Sequence, residues 1–261
     1  MDGLARHLAR ATRLTLPGRY GALMLGDAAV GLVTPQIGAA LGAQDGVVRV
    51  ADAGALLAAQ DALAGAGVFR KRGEMFDVRA APDGPVLGQV DRGALPVLGI
   101  EARGVHVNGL VRDGDGWKLW VARRSMSKAL DAGKLDHLVA GGICAGMDAA
   151  GTLVKEAWEE AAVPEGLARR ARFVGCLGYA IERAEGLRRD RLFCYDLEVP
   201  GDFVPVARDG EVEGFALMRV EDVFRIVRET DDFKFNVSLV LIDLFARLGL
   251  VAGDGLGGLR Q

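Results

Sequence analysis

The segment that most restricts this chain is GGICAGMDAAGTLVKEAWEEAAV, residues 141–163. A strand-like LVAGG at residues 138–142 leads into a glycine-containing loop, then a run rich in Ala and Glu, then Ala-Val-Pro as a stop. In a helix, side chains three and four positions apart share a face, so Glu156, Glu159 and Glu160 project together. Like charges at that spacing weaken a helix by roughly 0.2–0.5 kcal/mol per pair, and folding alone would favour interleaved cations. A hard divalent ion such as Mg²⁺ gives a reason to keep the acids, because it takes carboxylate oxygens together with phosphate oxygens. A solvated acidic helix face is the plain alternative, and for a bare EXXEE it is the commoner one.

At 261 residues, one or two domains are expected. Half of the residues are hydrophobic and 26% are charged, the balance of a globular protein with a substantial core. The net charge of -3 and the lack of a basic tract argue against nucleic acid as a partner. Cys144, Cys176 and Cys194 form no C-x-x-C, and no signal-peptide pattern opens the chain, so a reducing cytoplasm is expected. No apolar run approaches the ~18 residues needed to cross a bilayer, and no membrane partner is expected.

Residues 1–100 read as a smaller α/β unit. Residues 4–13 suit a short helix with Leu4, Leu8 and Ala11 on one side. Strands are expected at 20–25, 29–33, 47–50 and 75–79, and helices from 35 to 41 and 53 to 65, with a turn at Pro82-Asp83-Gly84. Arg70, Lys71 and Arg72 read as a solvated turn rather than a phosphate site, and residues 92–100, with Gly93, Pro96 and Gly99, as a linker. A second domain over 101–261 opens with strands at 104–112 and 117–123 around an Asp-Gly-Asp-Gly turn. Further strands are expected at 173–181, 192–199 and 214–218, with a charged, substrate-facing or partner-facing loop at 182–191. Helices at 220–228 and 236–248 complete it, the latter stopped by Gly249. Mixed strands with helices of this number fit an α/β/α sandwich with a mixed sheet.

The segment at 141–163 resembles the Nudix hydrolase box. Gly141 matches its first Gly, Glu156 the acid of its Arg-Glu pair, Glu159 and Glu160 its paired acids and Val163 its last apolar position. Met147 stands where the box has a Glu, Lys155 where it has Arg, and Ala162 where it has its last Gly. In the family that Glu usually pairs with the Arg to brace the loop, so both partners are altered together. The phrases GVHVNG at 104–109, LWVARRS at 119–125, LDHLVAGGI at 135–143, YDLEVPGDFVP at 195–205, DGEVEGFALM at 209–218 and FKFNVSLVLIDLFARLG at 233–249 resemble one branch. It is that of the thiamine-pyrophosphokinase-related Nudix proteins, which carry an N-terminal domain of their own.

The resemblance implies Mg²⁺- or Mn²⁺-dependent hydrolysis of a small-molecule diphosphate, thiamine diphosphate or its oxidised forms, to the monophosphate. Glu156, Glu159 and Glu160 are the expected metal ligands, and Glu160 or Glu211 the general base. Arg123, Arg124 and Lys128 are weighed evenly between phosphate-holding groups and ordinary surface cations. Lys155, together with the backbone N–H groups of Gly141 and Gly142, joins the substrate-binding set. Trp120, Tyr179 and Phe235 are available to cover the substrate's rings, although core packing is the commoner use of such residues. Asn236 is a candidate for reading a polar edge. His106 and His137 lie too far apart in sequence to be read as ligands. A homodimer is compatible with all of this. A Nudix hydrolase of another diphosphate (a sugar, dinucleotide or CoA derivative) and a non-catalytic Nudix-fold binding module are the rival readings.

Overall fold

The apolar side of the first helix, α1 (Ala5–Thr12), carries Leu4, His7 and Ala11 into the interior. In the computed structural model, which describes residues 3–127, 130–208 and 210–261, the next elements are β1 (Gly21–Leu25), β2 (Ala28–Val33), α2 (Pro35–Ala40), β3 (Val47–Val50) and α3 (Ala53–Gly65). Both helices begin where a side chain accepts an otherwise unpaired backbone N–H: Thr34 takes that of Ile37, and Asp52 that of Ala55. They are followed by β4 (Met75–Val78), β5 (Gly88–Asp91) and α4 (Leu95–Leu98). β1 lies between an antiparallel β2 and a parallel β3, and β4 and β5 form an antiparallel pair. Leu23, Val48, Leu56, Val78 and Leu98 meet in one core.

The linker expected at 92–100 is instead a helical turn. Leu95, Val97 and Leu98 are buried, Pro96 sits in the first turn where no N–H is needed, and Gly99 closes it in the left-handed region at φ 57°. Sequence reading also missed β5, because GQVD is short and lacks clear alternation.

The second half of the chain builds β6 (Glu101–Asp113), β7 (Gly116–Arg124), β8 (Leu135–Asp136), β9 (Val139–Gly142), α5 (Ala149–Ala161), α6 (Glu165–Ala168), β10 (Arg172–Arg183), β11 (Gly186–Glu198), β12 (Val212–Arg219), α7 (Val220–Glu229) and α8 (Phe235–Arg247). The main sheet runs β10-β11-β6-β7-β12, with β8 on β7 and β9 on β6. β6 and β11 are parallel and the other pairs antiparallel, so the sheet is mixed.

Alternation along these strands divides their side chains between two layers. Leu110, Leu119, Val121, Leu177 and Leu192 pack with α7, α8 and α1, whereas Val105, Val107, Trp120 and Leu197 pack with α5 and α6. α8 is buried on nearly every side from Phe235 to Phe245, its apolar side chains joined by Asn236, Ser238 and an Asp243 that pairs with Arg247 and Arg260. The charged loop expected at 182–191 is mostly strand. β10 and β11 form a hairpin in which Arg188 pairs with Asp190 and Arg191 with Glu101 of the neighbouring strand. Lateral ion pairing lets a charged sequence lie in a sheet where composition alone suggested a loop.

Candidate active site

α5 carries the acidic cluster. Asp148 caps its start by accepting the N–H of Gly151, and its end turns at Ala162, held in the left-handed region at φ 53°. That conformation explains why the Nudix pattern has Gly at this position. The N–H groups of Ala162 and Val163 still close the last turn onto Trp158 and Ala157.

Glu156 is largely buried, with its carboxylate laid against Gly141. A Cβ on Gly141 would stand 2.4 Å from Glu156 Cγ and 2.9 Å from its Oε2. Burial raises the Glu156 pKa; Lys155 opposes the rise and the charges of Glu159 and Glu211 add to it. The Lys155 ammonium lies 2.9 Å from Glu156 Oε1 and 2.6 Å from Glu159 Oε2. Burial works against that ammonium, but its hydrogen bonds to Glu159 and Glu156 leave its pKa raised. Met147, in place of the bracing Glu, packs against the apolar cluster beneath α5. Lys155 therefore turns to the acids of its own helix. Glu160 points inward: it is 8% exposed, and its Oε2 accepts the N–H of Ala140 at 2.9 Å.

Glu160 and Glu211 line a small cavity with Arg124, Asp136 and His137. Its volume is about 10 Å³, no more than one water-sized sphere. Arg124 donates to Asp136 at 2.9 Å and to the carbonyls of Leu130 and Asp131. Burial alone would raise the Asp136 carboxyl, yet the Lys234 ammonium, His137 and Arg124 hold it down at about 2. Burial lowers His137 to about 4, against the pull of Asp136. The rings of His106 and His137 meet edge to face at 5.1 Å. Both nitrogens of His137 and Nδ1 of His106 are buried with no hydrogen-bond partner. Sequence reading passed over Asp136 and His137 as site residues. Their only signal was a charged pair directly before a buried strand.

Arg123, the neighbour of Arg124 on a strand, turns away to the carbonyl of Gly133. It lines a separate, open depression with Lys134, Asp231 and Asp232. The pair Arg123 and Arg124 thus does not form one clamp, and Lys128 lies outside the described residues. Gly142 faces the ring of Phe76, so glycine there, as at Gly141, makes room for a protein side chain. Tyr179 is buried on the α8 side of the sheet, with its hydroxyl on Asp190 and its ring edge-on to Phe235 at 5.4 Å. Trp120 and Phe235 are buried in the core as well. Asn236 is buried, with Nδ2 3.4 Å from His106 Nε2.

Among the described residues no group of three or more His, Cys, Asp and Glu is arranged to hold a metal ion. The donor chemistry nonetheless fits a hard cation through two acids. Glu156 and Glu159 converge on one positive centre, where the Lys155 ammonium stands in for an ion. Mg²⁺ is characteristically held by one or two carboxylates plus substrate phosphate and water. Glu160, on the same helix, uses Oε2 to accept the N–H of Ala140, and a carboxylate with one such bond keeps further acceptor sites.

The NUDIX domain model matches residues 102–237. Two relatives from Arabidopsis thaliana, named Nudix hydrolase 20, chloroplastic, and Nudix hydrolase 24, chloroplastic, are 45% and 44% identical over 187 residues. Each alignment covers 71% of this chain. An uncharacterised protein of Saccharomyces cerevisiae, YJR142W, is 30% identical over 63% of the chain. The chain spans about half the length of these relatives, 50%, 51% and 52% respectively. A solved structure, DR0079 from Deinococcus radiodurans, aligns with 64% of this chain and 97% of its own at 21% identity and a TM-score of 0.46. With more than half of its length, α5 included, matched by the NUDIX domain, the chain belongs to the Nudix family.

Proposed function

We propose that this protein is a divalent-metal-dependent hydrolase of a diphosphate linkage, acting on thiamine diphosphate or its oxidised derivatives to give the monophosphate. The observation that carries the reading is the convergence of Glu156 and Glu159 on one cationic centre, on a helix entered from Gly141 and Gly142 in a Nudix chain. Glu156 and Glu159 would hold the ion, Mg²⁺ or Mn²⁺, in exchange for the Lys155 ammonium, with Glu160 as the third expected ligand. When bound, the ion neutralises phosphate charge and lowers the pKa of a bound water. Lys155, released from the two acids, is a flexible cation at the mouth of the site and would pair with a phosphate oxygen. Arg124, fixed by Asp136, places a second positive charge beside Glu160 and Glu211. Those two acids border the cavity and are the candidates for taking the proton of the attacking water. The choice of thiamine rests on the phrases spread over residues 104–249.

The test is direct. The purified chain is titrated with Mg²⁺ and Mn²⁺ against thiamine diphosphate, its oxidised forms, nucleoside diphosphate sugars, dinucleotides and CoA, with the phosphate-containing products measured. Release of monophosphate from the thiamine compounds ahead of the others supports the reading. Preference for another diphosphate moves the substrate, and no cleavage of any with either metal removes the hydrolase.

A further inference from the structure

We propose that strand β4 is the seat of the loop joining β9 to α5, and that Asp77 is a positioning residue for the carboxylates of that helix. The loop before α5 runs from a buried Ile143 through a half-buried Ala145 to an exposed Gly146, and its backbone N–H groups are tied down one by one. Ile143 donates to the carbonyl of Arg103 at 2.9 Å, and Met147 to that of Cys144 at 3.1 Å. Between them, Ala145 donates to the carbonyl of Met75 at 2.7 Å and Gly146 to Asp77 Oδ2 at 3.2 Å. The middle of the loop is therefore held from the first hundred residues, and its two ends from the second half of the chain.

Three successive residues of β4 take part. β4 belongs to a two-stranded sheet, so among the described residues its second edge carries no strand. The carbonyl of Glu74 is used on the β5 side by Arg92, which turns the next carbonyl, Met75, outward to Ala145. The buried ring of Phe76 fills the space before Gly142, where a Cβ would stand 2.7 Å from its Cζ. Asp77 is itself fixed: Gln89 donates to its Oδ1 at 3.2 Å and Arg79 lies 3.6 Å from its Oδ2. Its carboxylate makes a charge-assisted bond to Gly146, which stands at φ 77°. Asp148, two residues on, caps α5, and a displacement of the loop would travel along α5 to Glu156 and Glu159. With Met147 in place of an acid, Lys155 pairs within its helix and does not brace this loop. β4 supplies that support from outside the Nudix match.

The seating of the loop stands by itself, whereas its effect on turnover rests on the hydrolase reading. The experiment uses the full chain with Asp77→Ala and Asp77→Asn. Amide exchange is followed by mass spectrometry in a peptide over residues 143–148 and in one over 239–245 of α8. Asp77→Ala is expected to speed exchange at 143–148 by about tenfold or more with 239–245 unchanged. Asp77→Asn, which keeps an acceptor oxygen, is expected to stay near the parent. With a diphosphate substrate, kcat falls in Asp77→Ala while KM changes little, and Asp77→Asn recovers it. Unchanged exchange at 143–148 in Asp77→Ala overturns the proposal, as does equal acceleration in both peptides. A parent chain with no diphosphatase activity removes the hydrolase reading and leaves the exchange result to decide the seat.

Discussion

Glu156 lies against the bare Cα of Gly141, so closely that one methyl group on that glycine would overlap its side chain. The glycine thus fixes where a candidate metal ligand stands. Gly141→Ala should push the carboxylate aside and lower turnover by about 10²-fold, the cost of misplacing a reacting group by roughly 1 Å. Steady-state kinetics with a melting curve beside them check this, since the loss should far exceed any fall in stability.

Glu159→Gln and Glu160→Gln should each remove most turnover, about 10²-fold or more, while the fold survives. Gln at 160 retains an oxygen for the N–H of Ala140. Glu160→Ala should in addition destabilise the protein by ~1–3 kcal/mol, because that N–H is left unpaired. Near-normal turnover in either purified Gln variant would end the assignment of that residue.

Lys155 and a divalent ion compete for the same two carboxylates in this arrangement. Lys155→Met should therefore melt lower than the parent without metal and gain more on adding Mg²⁺, since a ligand bound only by the folded state raises stability by mass action. Calorimetric scans with and without Mg²⁺ decide it; no gain in either protein would count against a metal between Glu156 and Glu159.

Ala162 occupies a left-handed conformation that costs a residue with a Cβ about 1 kcal/mol. Ala162→Gly should stabilise the protein by ~0.5–1 kcal/mol, part of the relief being returned through the freer unfolded chain. Urea unfolding measures the shift in midpoint.

His137 is held neutral, at about 4 against 6.5 for an unperturbed histidine. As pH falls through 6.5 the unfolded chain takes up the proton first. This group's contribution to stability is whole above that pH and drains away towards pH 4, by up to ~1.4 kcal/mol per pH unit. His106, also lowered by burial, adds in the same direction. Asp136, at about 2 against 3.8, extends the loss below pH 3.8. The urea midpoint should fall between pH 7.5 and 5, and His137→Phe should flatten that slope.

Local pattern was enough to locate α5, with its acids at helical spacing, and the glycines before it. It also gave the paired strands at 104–123 and the apolar helix α8, because periodicity and turn chemistry act over a few residues. Pattern does not say which apolar face meets which. α1 reads as part of the N-terminal unit but packs with α7 and α8, where Arg6 donates to the carbonyls of Val227 and Thr230. Nor does spacing along a helix say where a carboxylate ends. Glu156, Glu159 and Glu160 share a face by sequence, yet Glu156 lies on a glycine and shares Lys155 with Glu159, while Glu160 reaches the backbone of β9. Sequence determined the helix and its charge, since those follow from neighbours a turn apart. Tertiary structure alone brought His106 to His137 and β4 to the loop before α5, because such contacts join residues whose separation along the chain leaves no local trace.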